Sequence, residues 1–265
     1  MSRGNRLVTL VFSHYNEKAR WALDYCGIPY DERRLMPGFS QLGVLVATRG
    51  RGGTADTVSS RLSTPVLLTE DGATLCDSTA IARWASSRAD GGGPGPLFPD
   101  PAVLDLVDGF GRDLGPHTRL VGYWHAFRSK TAMRTLAERN VGRCQALAFR
   151  MLAPFGRGLI KRGLDVTDAR CQRSLDRVRA QLAMVEERLE RGPYLVGDTF
   201  TAADLTFAAL MAPILVVGRD EGYGATLPTV DELGPDAREL VAEMRSTRPG
   251  RFALDMFRRH RCAPA

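Results

Sequence analysis

Ser13-His14-Tyr15-Asn16-Glu17-Lys18-Ala19-Arg20-Trp21-Ala22-Leu23 follows directly on the apolar run Leu7-Val8-Thr9-Leu10-Val11-Phe12. The run reads as a short buried strand. The stretch after it reads as a polar elbow that opens a helix, with Ala19, Trp21 to Leu23 and Cys26 available for packing and Gly27 as its end. A strand that enters a helix this way gathers backbone N–H groups with no carbonyl one turn back, and the helix dipole adds positive potential. Anions and thiolates are favoured at such a place.

Outward from the elbow, Tyr30 to Leu35 reads as a second strand and Phe39 to Ala47 as a short helical or irregular segment. Residues 49–61 are polar and glycine-bearing and read as loop. Gly50-Arg51-Gly52-Gly53-Thr54 lacks the Lys-Ser/Thr of a phosphate-binding loop and neither follows a convincing strand nor opens a helix, so a phosphate cradle is rejected. Thr64 to Thr69, the turn Glu70-Asp71-Gly72, and Ala73 to Cys76 form a hairpin pattern with Asp-Gly as its turn signal. Asp77-Ser78 then opens a helix through Ile81 and Trp84, as a capping pair does. This order makes residues 1–86 an α/β sandwich. Residues 87–101, with Gly91-Gly92-Gly93-Pro94-Gly95-Pro96 and Pro99-Asp100-Pro101, read as a linker, and residues 102–265 as all-helical. The clearest helix is 168–191, where Leu175, Val178, Leu182, Val185 and Leu189 recur at three and four residues before Gly192-Pro193.

The bulk numbers fit that division. A chain of 265 residues suits two ordinary domains, and 44% hydrophobic with 25% charged residues is a soluble globular composition. No apolar run approaches the roughly 20 residues of a membrane helix, and Leu7 to Phe12 is too short for a signal-peptide core. Five scattered cysteines without a C-x-x-C pair point to reduced thiols and a cytoplasmic setting, and four histidines without metal-ligand spacing argue against a metal site. The net charge of +6 comes with 33 arginines and only three lysines, spread along the chain. That dispersal, together with abundant alanine, glycine and proline, reflects a GC-rich genome rather than nucleic-acid binding. Arg258-Arg259-His260-Arg261 reads as a solvated C-terminal end.

Several motifs carry a resemblance. The elbow and its helix resemble the first strand, active-site loop and first helix of the cytosolic glutathione transferases. Ser63-Thr64-Pro65-Val66-Leu67 and Asp77-Ser78-Thr79-Ala80-Ile81 are similar to that family's segments, and Tyr194-Leu195-Val196-Gly197-Asp198-Thr199-Phe200-Thr201-Ala202-Ala203-Asp204-Leu205 is very similar to the structural motif of its helical domain. Thr201 and Asp204 also have capping-box spacing. Arg248-Pro249-Gly250-Arg251-Phe252 looks like the end of bacterial members. The match is strong at 7–35, 62–86 and 193–212, and weak at 36–61 and 102–165.

The resemblance implies a thioredoxin-like N-terminal domain, an all-α C-terminal domain, a cis Thr64-Pro65 bond and a cytoplasmic homodimer. It implies glutathione as cofactor, with Thr64 and Pro65 beside its cysteinyl unit and Asp77 and Ser78 at its γ-glutamyl end. Gln41, Arg49 or Arg51 would meet its glycine carboxylate. In many relatives a Ser or Cys stands where Asn16 stands. Asn16 rules out thiol redox chemistry but can donate to a thiolate or simply cap the helix, with Ser13 and Tyr15 as the neighbouring catalytic candidates. Lys18 and Arg20 read as structural. A hydrophobic electrophile would lie between the domains, against His14, Tyr123 and Trp124, with Arg119 and His125 nearby. The activity implied is conjugation or isomerisation, the alternative a non-catalytic ligand-binding or assembly protein. A high-GC bacterium raises mycothiol as another thiol, yet Asp77-Ser78 suits a γ-glutamyl group, which mycothiol lacks.

Overall fold

The computed structural model describes residues 4–50, 62–89, 95–151, 158 and 165–261. The elbow forms where β1 (Asn5–Leu10) leaves the sheet. The expected strand ran on to Phe12. Instead the Ser13 N–H donates to Leu10 O at 3.0 Å and turns the chain into α1 (His14–Tyr25). β2 (Tyr30–Leu35) returns parallel to β1, from Asn5 opposite Tyr30 to Leu10 opposite Leu35. After α2 (Phe39–Ala47), β3 (Val66–Leu68) adds antiparallel to the other edge of β1, and β4 (Thr74–Cys76) pairs with β3. The sheet order is therefore β2-β1-β3-β4. The hairpin turns as its Asp-Gly signal predicts, with Gly72 at φ 88° and its N–H on Thr69 O. Asp77 then caps α3 (Ser78–Arg88), accepting from Thr79 N and Ala80 N. The stretch from Arg51 to Arg61 and the linker residues 90–94 lie outside the described residues.

Beyond the linker the described chain is helical: α4 (Pro101–Asp113), α5 (Gly115–Arg128), α6 (Lys130–Glu138), α7 (helical residues 143–151), α8 (Asp168–Leu189), α9 (Ala202–Leu215), α10 (Val230–Leu233), α11 (Pro235–Ser246) and α12 (Arg248–His260). α9 is the axis, and every residue of it except Pro213 is buried. Its start is held as the Thr201–Asp204 spacing predicts. The Asp204 carboxylate accepts from Thr201 N and Leu195 N, both at 2.8 Å, and from the Thr201 hydroxyl.

α1 lies between the α/β layer and α9, with α3 beside it. Trp21 packs against Phe200 and Phe257, and its indole N–H donates to His260 O at 3.0 Å. Because α1 is covered on every side, its charged residues are buried too. Glu17 is 0% and Arg20 1% exposed. Such burial is tolerated only with full pairing. Arg20 donates to Glu32 Oε1 at 2.6 Å, to Glu17 Oε2 at 3.0 Å and to Val11 O at 2.6 Å. Burial opposes the Arg20 charge, but the Glu32 and Glu17 carboxylates outweigh it and raise its pKa. Glu17 also accepts from Gly224 N at 3.0 Å and from Arg261 Nε at 2.9 Å, while Arg261 Nη1 reaches Asp24. The C-terminal basic cluster is thus not all solvated. The Arg261 side chain is 1% exposed and clamps the last helix onto the first.

Glu17→Gln should lower unfolding free energy by about 3–5 kcal/mol, because two buried guanidinium groups would lose their shared carboxylate. Asp255→Asn, at an exposed pair with Arg258 and Arg259, should cost less than about 1 kcal/mol. Urea unfolding compares them, and equal losses would show that the buried cluster contributes nothing special.

Candidate functional site

A cavity of about 390 Å³ opens between the elbow, residues 62–64, α5, the end of α9 and the segment 227–233. The elbow is fastened to its floor. His14 Nε2 donates to Gly115 O at 2.9 Å, and the Tyr15 hydroxyl donates to Gly111 O at 3.0 Å. A carbonyl can only accept, so His14 carries its proton on Nε2. Burial pulls the His14 pKa down to about 3, so it is a neutral strut at ordinary pH. Burial pushes Tyr15 up to about 12, and its proton is engaged by Gly111. At Gly115 a Cβ would collide with the Tyr15 hydroxyl, so this helix start must be glycine for the elbow to sit down.

These latches leave Ser13 facing the cavity. Ser13 is the N-cap residue of α1, yet its hydroxyl caps nothing and has no hydrogen bond among the described residues. Asn16 is not the cap: it is the third residue of α1, 0% exposed, and does not line the cavity. Its amide donates to Thr64 Oγ1 at 3.3 Å, while its Oδ1 is buried with no partner among the described residues. Leu10 N donates to the same Thr64 oxygen at 3.2 Å. With both lone pairs of Thr64 Oγ1 used, its proton is left to donate, and Thr64 lines the cavity. Asn16 thus supports Thr64 from behind. The Thr64-Pro65 bond is cis, as the resemblance implied, and Pro65 is buried beneath it.

Asp77 and Ser78 lie outside the cavity wall, at the start of α3. Asp77 is exposed and sits at φ 138°, a conformation that costs a non-glycine residue about 1–3 kcal/mol. Its Oδ1 takes both capping bonds, which leaves Oδ2 for another donor. Ser78 is buried, with no hydrogen bond on its hydroxyl among the described residues. On the opposite wall Tyr123 packs edge-on to Phe12 and against Phe127. Arg119 and Gln41 line the cavity as well. Trp124 does not: its indole donates to Asp168 at 2.8 Å and Arg128 stacks over it, on another face of α5. The rotation of about 100° between adjacent helix positions separates it from Tyr123. His125 is buried and also lies outside this wall, and Arg49 is exposed away from it. Arg51 is outside the described residues. Sequence reading missed Gly111, which serves only through its carbonyl, and Gly115, whose presence in a helical stretch signals close approach. It also missed Pro213, Val216 and Leu233, distant apolar residues with no local signal.

The family model described as "Glutathione S-transferase, N-terminal domain" matches residues 12–88, and "Glutathione S-transferase, C-terminal domain" matches residues 168–224. The chain belongs to the glutathione transferase superfamily. Solved glutathione transferases share its fold over nearly the whole length. One, from Phanerochaete chrysosporium, is 16% identical with a TM-score of 0.64 and covers 100% of both chains. Another, from Ceriporiopsis subvermispora in complex with glutathione, is 16% identical with a TM-score of 0.62 and covers 99% of both. A third, from Burkholderia graminis, holds two glutathione molecules per subunit; it is 17% identical with a TM-score of 0.54 over 95% of this chain and 82% of its own. No curated protein matches the chain.

Lys18 joins α1 to the start of α3 in this transferase-like fold, donating to Thr79 Oγ1 at 2.7 Å. Burial, against the attraction of Asp77 and Asp108, lowers its pKa from 10.5 to about 8. Below pH 8 the ammonium is charged in folded and unfolded chains alike, and the burial penalty is carried in full. Between about 8 and 10.5 the unfolded chain keeps a proton that the folded chain has released, so stability rises with pH. Lys18→Met should therefore flatten that rise by roughly 3 kcal/mol, at about 1.4 kcal/mol per pH unit. Urea unfolding of both proteins at pH 7, 8, 9 and 10 checks this; parallel curves would contradict it.

Proposed function

We propose that the protein binds glutathione along the elbow and the Thr64-Pro65 turn and delivers its thiol to a hydrophobic electrophile in the cavity, by conjugation or by isomerisation. The observation that carries the reading is the Ser13 hydroxyl, which has no hydrogen bond among the described residues, stands at the N-terminus of α1 and faces the cavity beside Thr64. A thiolate there would meet two hydroxyl donors and the positive end of a helix, which together favour ionisation. The Thr64 backbone, at the cavity wall, would pair with the cysteinyl peptide. Asp77 Oδ2 and Ser78 would take the γ-glutamyl ammonium and carboxylate. Among the three catalytic candidates, Ser13 is the donor, Asn16 positions Thr64, and Tyr15 is a strut. Structural relatives crystallised with glutathione support the cofactor.

The second reading, a ligand carrier without turnover, has one observation in its favour: Asn16, where many relatives place a reacting Ser or Cys, is turned away from the cavity. We place the protein in a reducing cytoplasm, since Cys26, Cys76, Cys144 and Cys171 are free thiols. We also expect a homodimer. Leu42 and Val46 on α2, and Leu147 and Met151 on α7, are exposed apolar pairs one turn apart. α7 lies beside the start of α2 through Gln145, which accepts from Met36 N.

Calorimetric titration with glutathione and with mycothiol, followed by conjugation of chlorodinitrobenzene, tests the proposal. Glutathione should bind, and Asp77→Ala should weaken it by about 1.5–3 kcal/mol through loss of a charged partner. Ser13→Ala should lower turnover about tenfold to a thousandfold. Glutathione binding without turnover would favour the carrier, and binding of mycothiol alone would overturn the roles of Asp77 and Ser78.

A further inference from the structure

Among the described residues, the cavity wall carries one cation and no anion to answer it. Arg119 lies on α5 and faces a wall that includes Leu136, Pro213, Val216 and Leu233. It makes no hydrogen bond or ion pair among the described residues, and its Nε is shielded from solvent with no acceptor. Arg119 is half-buried, and the fully buried arginines are treated differently: Arg20 meets Glu17 and Glu32, and Arg261 meets Glu17 and Asp24. A guanidinium drawn partly out of water beside apolar side chains, with no carboxylate opposite, favours a ligand that brings the missing charge. Tyr123, one turn further along α5, presents a phenol with no hydrogen bond among the described residues to the same cavity. Burial raises the pKa of Tyr15 and Tyr123 and lowers that of His14, and the positive charge of Arg119 reaches all three, opposing the rise of the two phenols.

We propose that Arg119 and Tyr123 form a recognition pair for a carboxylate on the second substrate, so that the preferred electrophile has an apolar body and an anionic head. This rests on the transferase reading of the cavity and narrows its substrate class. The guanidinium offers two parallel N–H groups to a planar carboxylate, and the phenol adds a third donor. The apolar wall receives the body of the molecule, and its reacting carbon is left toward Ser13 and Thr64. Charge-assisted hydrogen bonds in such surroundings are stronger than neutral ones, and a neutral analogue leaves the guanidinium unpaired. Selectivity therefore comes from both effects together.

The test is equilibrium binding of 4-chloro-3-nitrobenzoate and of the corresponding uncharged benzamide, measured by calorimetry with and without glutathione. The full-length protein should bind the benzoate about 10- to 100-fold more tightly than the amide. In Arg119→Met that ratio should fall to near one, in Tyr123→Phe it should fall several-fold, and Arg119→Lys should restore part of it. Circular dichroism confirms that each variant is folded, and the conservative variants keep the test informative if Arg119→Met is not. A ratio near one in the unsubstituted protein, or a ratio that survives in Arg119→Met, overturns the proposal. So does a matching loss of glutathione affinity in Arg119→Met, which would assign the guanidinium to the cofactor. The transferase reading fails separately: a clear benzoate preference with no turnover in the presence of glutathione would leave anion recognition standing and remove catalysis.

Discussion

A helix carrying Glu17, Lys18 and Arg20 lies at the centre of the molecule with almost no exposed surface, and the rest of the architecture is arranged to make that tolerable. Isolated ions in such a place would cost several kcal/mol each. The charges are instead answered from four directions: Glu32 on β2, Gly224 after α9, Arg261 at the end of α12 and Thr79 on α3. Thr9 on β1 and Arg34 on β2 complete the shell around Glu32. Replacing the cluster with apolar residues could stabilise a fold of this kind as well, so its contribution lies in specificity of placement as much as in free energy. It fixes α1 both against the sheet and against the helical layer, so neither can shift without breaking a buried pair.

That fixed helix sets the geometry of the cavity. Its first residues have no freedom to fray, because His14 and Tyr15 are anchored on the carbonyls of Gly115 and Gly111 at the junction of α4 and α5. The groups with the most recognisable chemistry in the elbow are thereby used structurally. Imidazole and phenol hold the two layers together, and the amide of Asn16 holds the Thr64 turn. Among the described residues, what remains available for a ligand is the small hydroxyl of Ser13, the proton of Thr64 and the cation of Arg119 across the cavity. A site built this way supplies hydrogen-bond donors rather than acids or bases near neutral pH.

Much of the fold was legible because its local signals agree with its global arrangement. The Asp-Gly turn, the Asp77 cap, the Thr201–Asp204 box and the three-four spacing of α8 each depend on neighbours in sequence. The cis Thr64-Pro65 bond was legible only through resemblance. The buried ion cluster was not legible, since the partners of Glu17 at Gly224 and Arg261 are more than two hundred residues away and an arginine-rich C-terminus looks like surface. The site was half legible. Resemblance pointed to the elbow and Thr64 and residue type to Tyr123, all of which line the cavity, but helical phase separates Trp124 from Tyr123. Nothing local shows that Asn16 turns inward while Ser13 turns outward, because that depends on where Gly111 and Gly115 capture the intervening rings.

The ionisation of the bound thiol tests most directly whether this arrangement of donors is a thiol-activating site. The ultraviolet thiolate band of glutathione, titrated against pH in the presence of the protein, gives the pKa of the bound sulfur. A free thiol ionises near pH 8.5, and two hydroxyl donors at a helix N-terminus should lower the midpoint by about one pH unit or more, with most of the shift lost in Ser13→Ala. A bound thiol that titrates as it does in free solution, or a lowered midpoint unchanged by Ser13→Ala, would contradict the account.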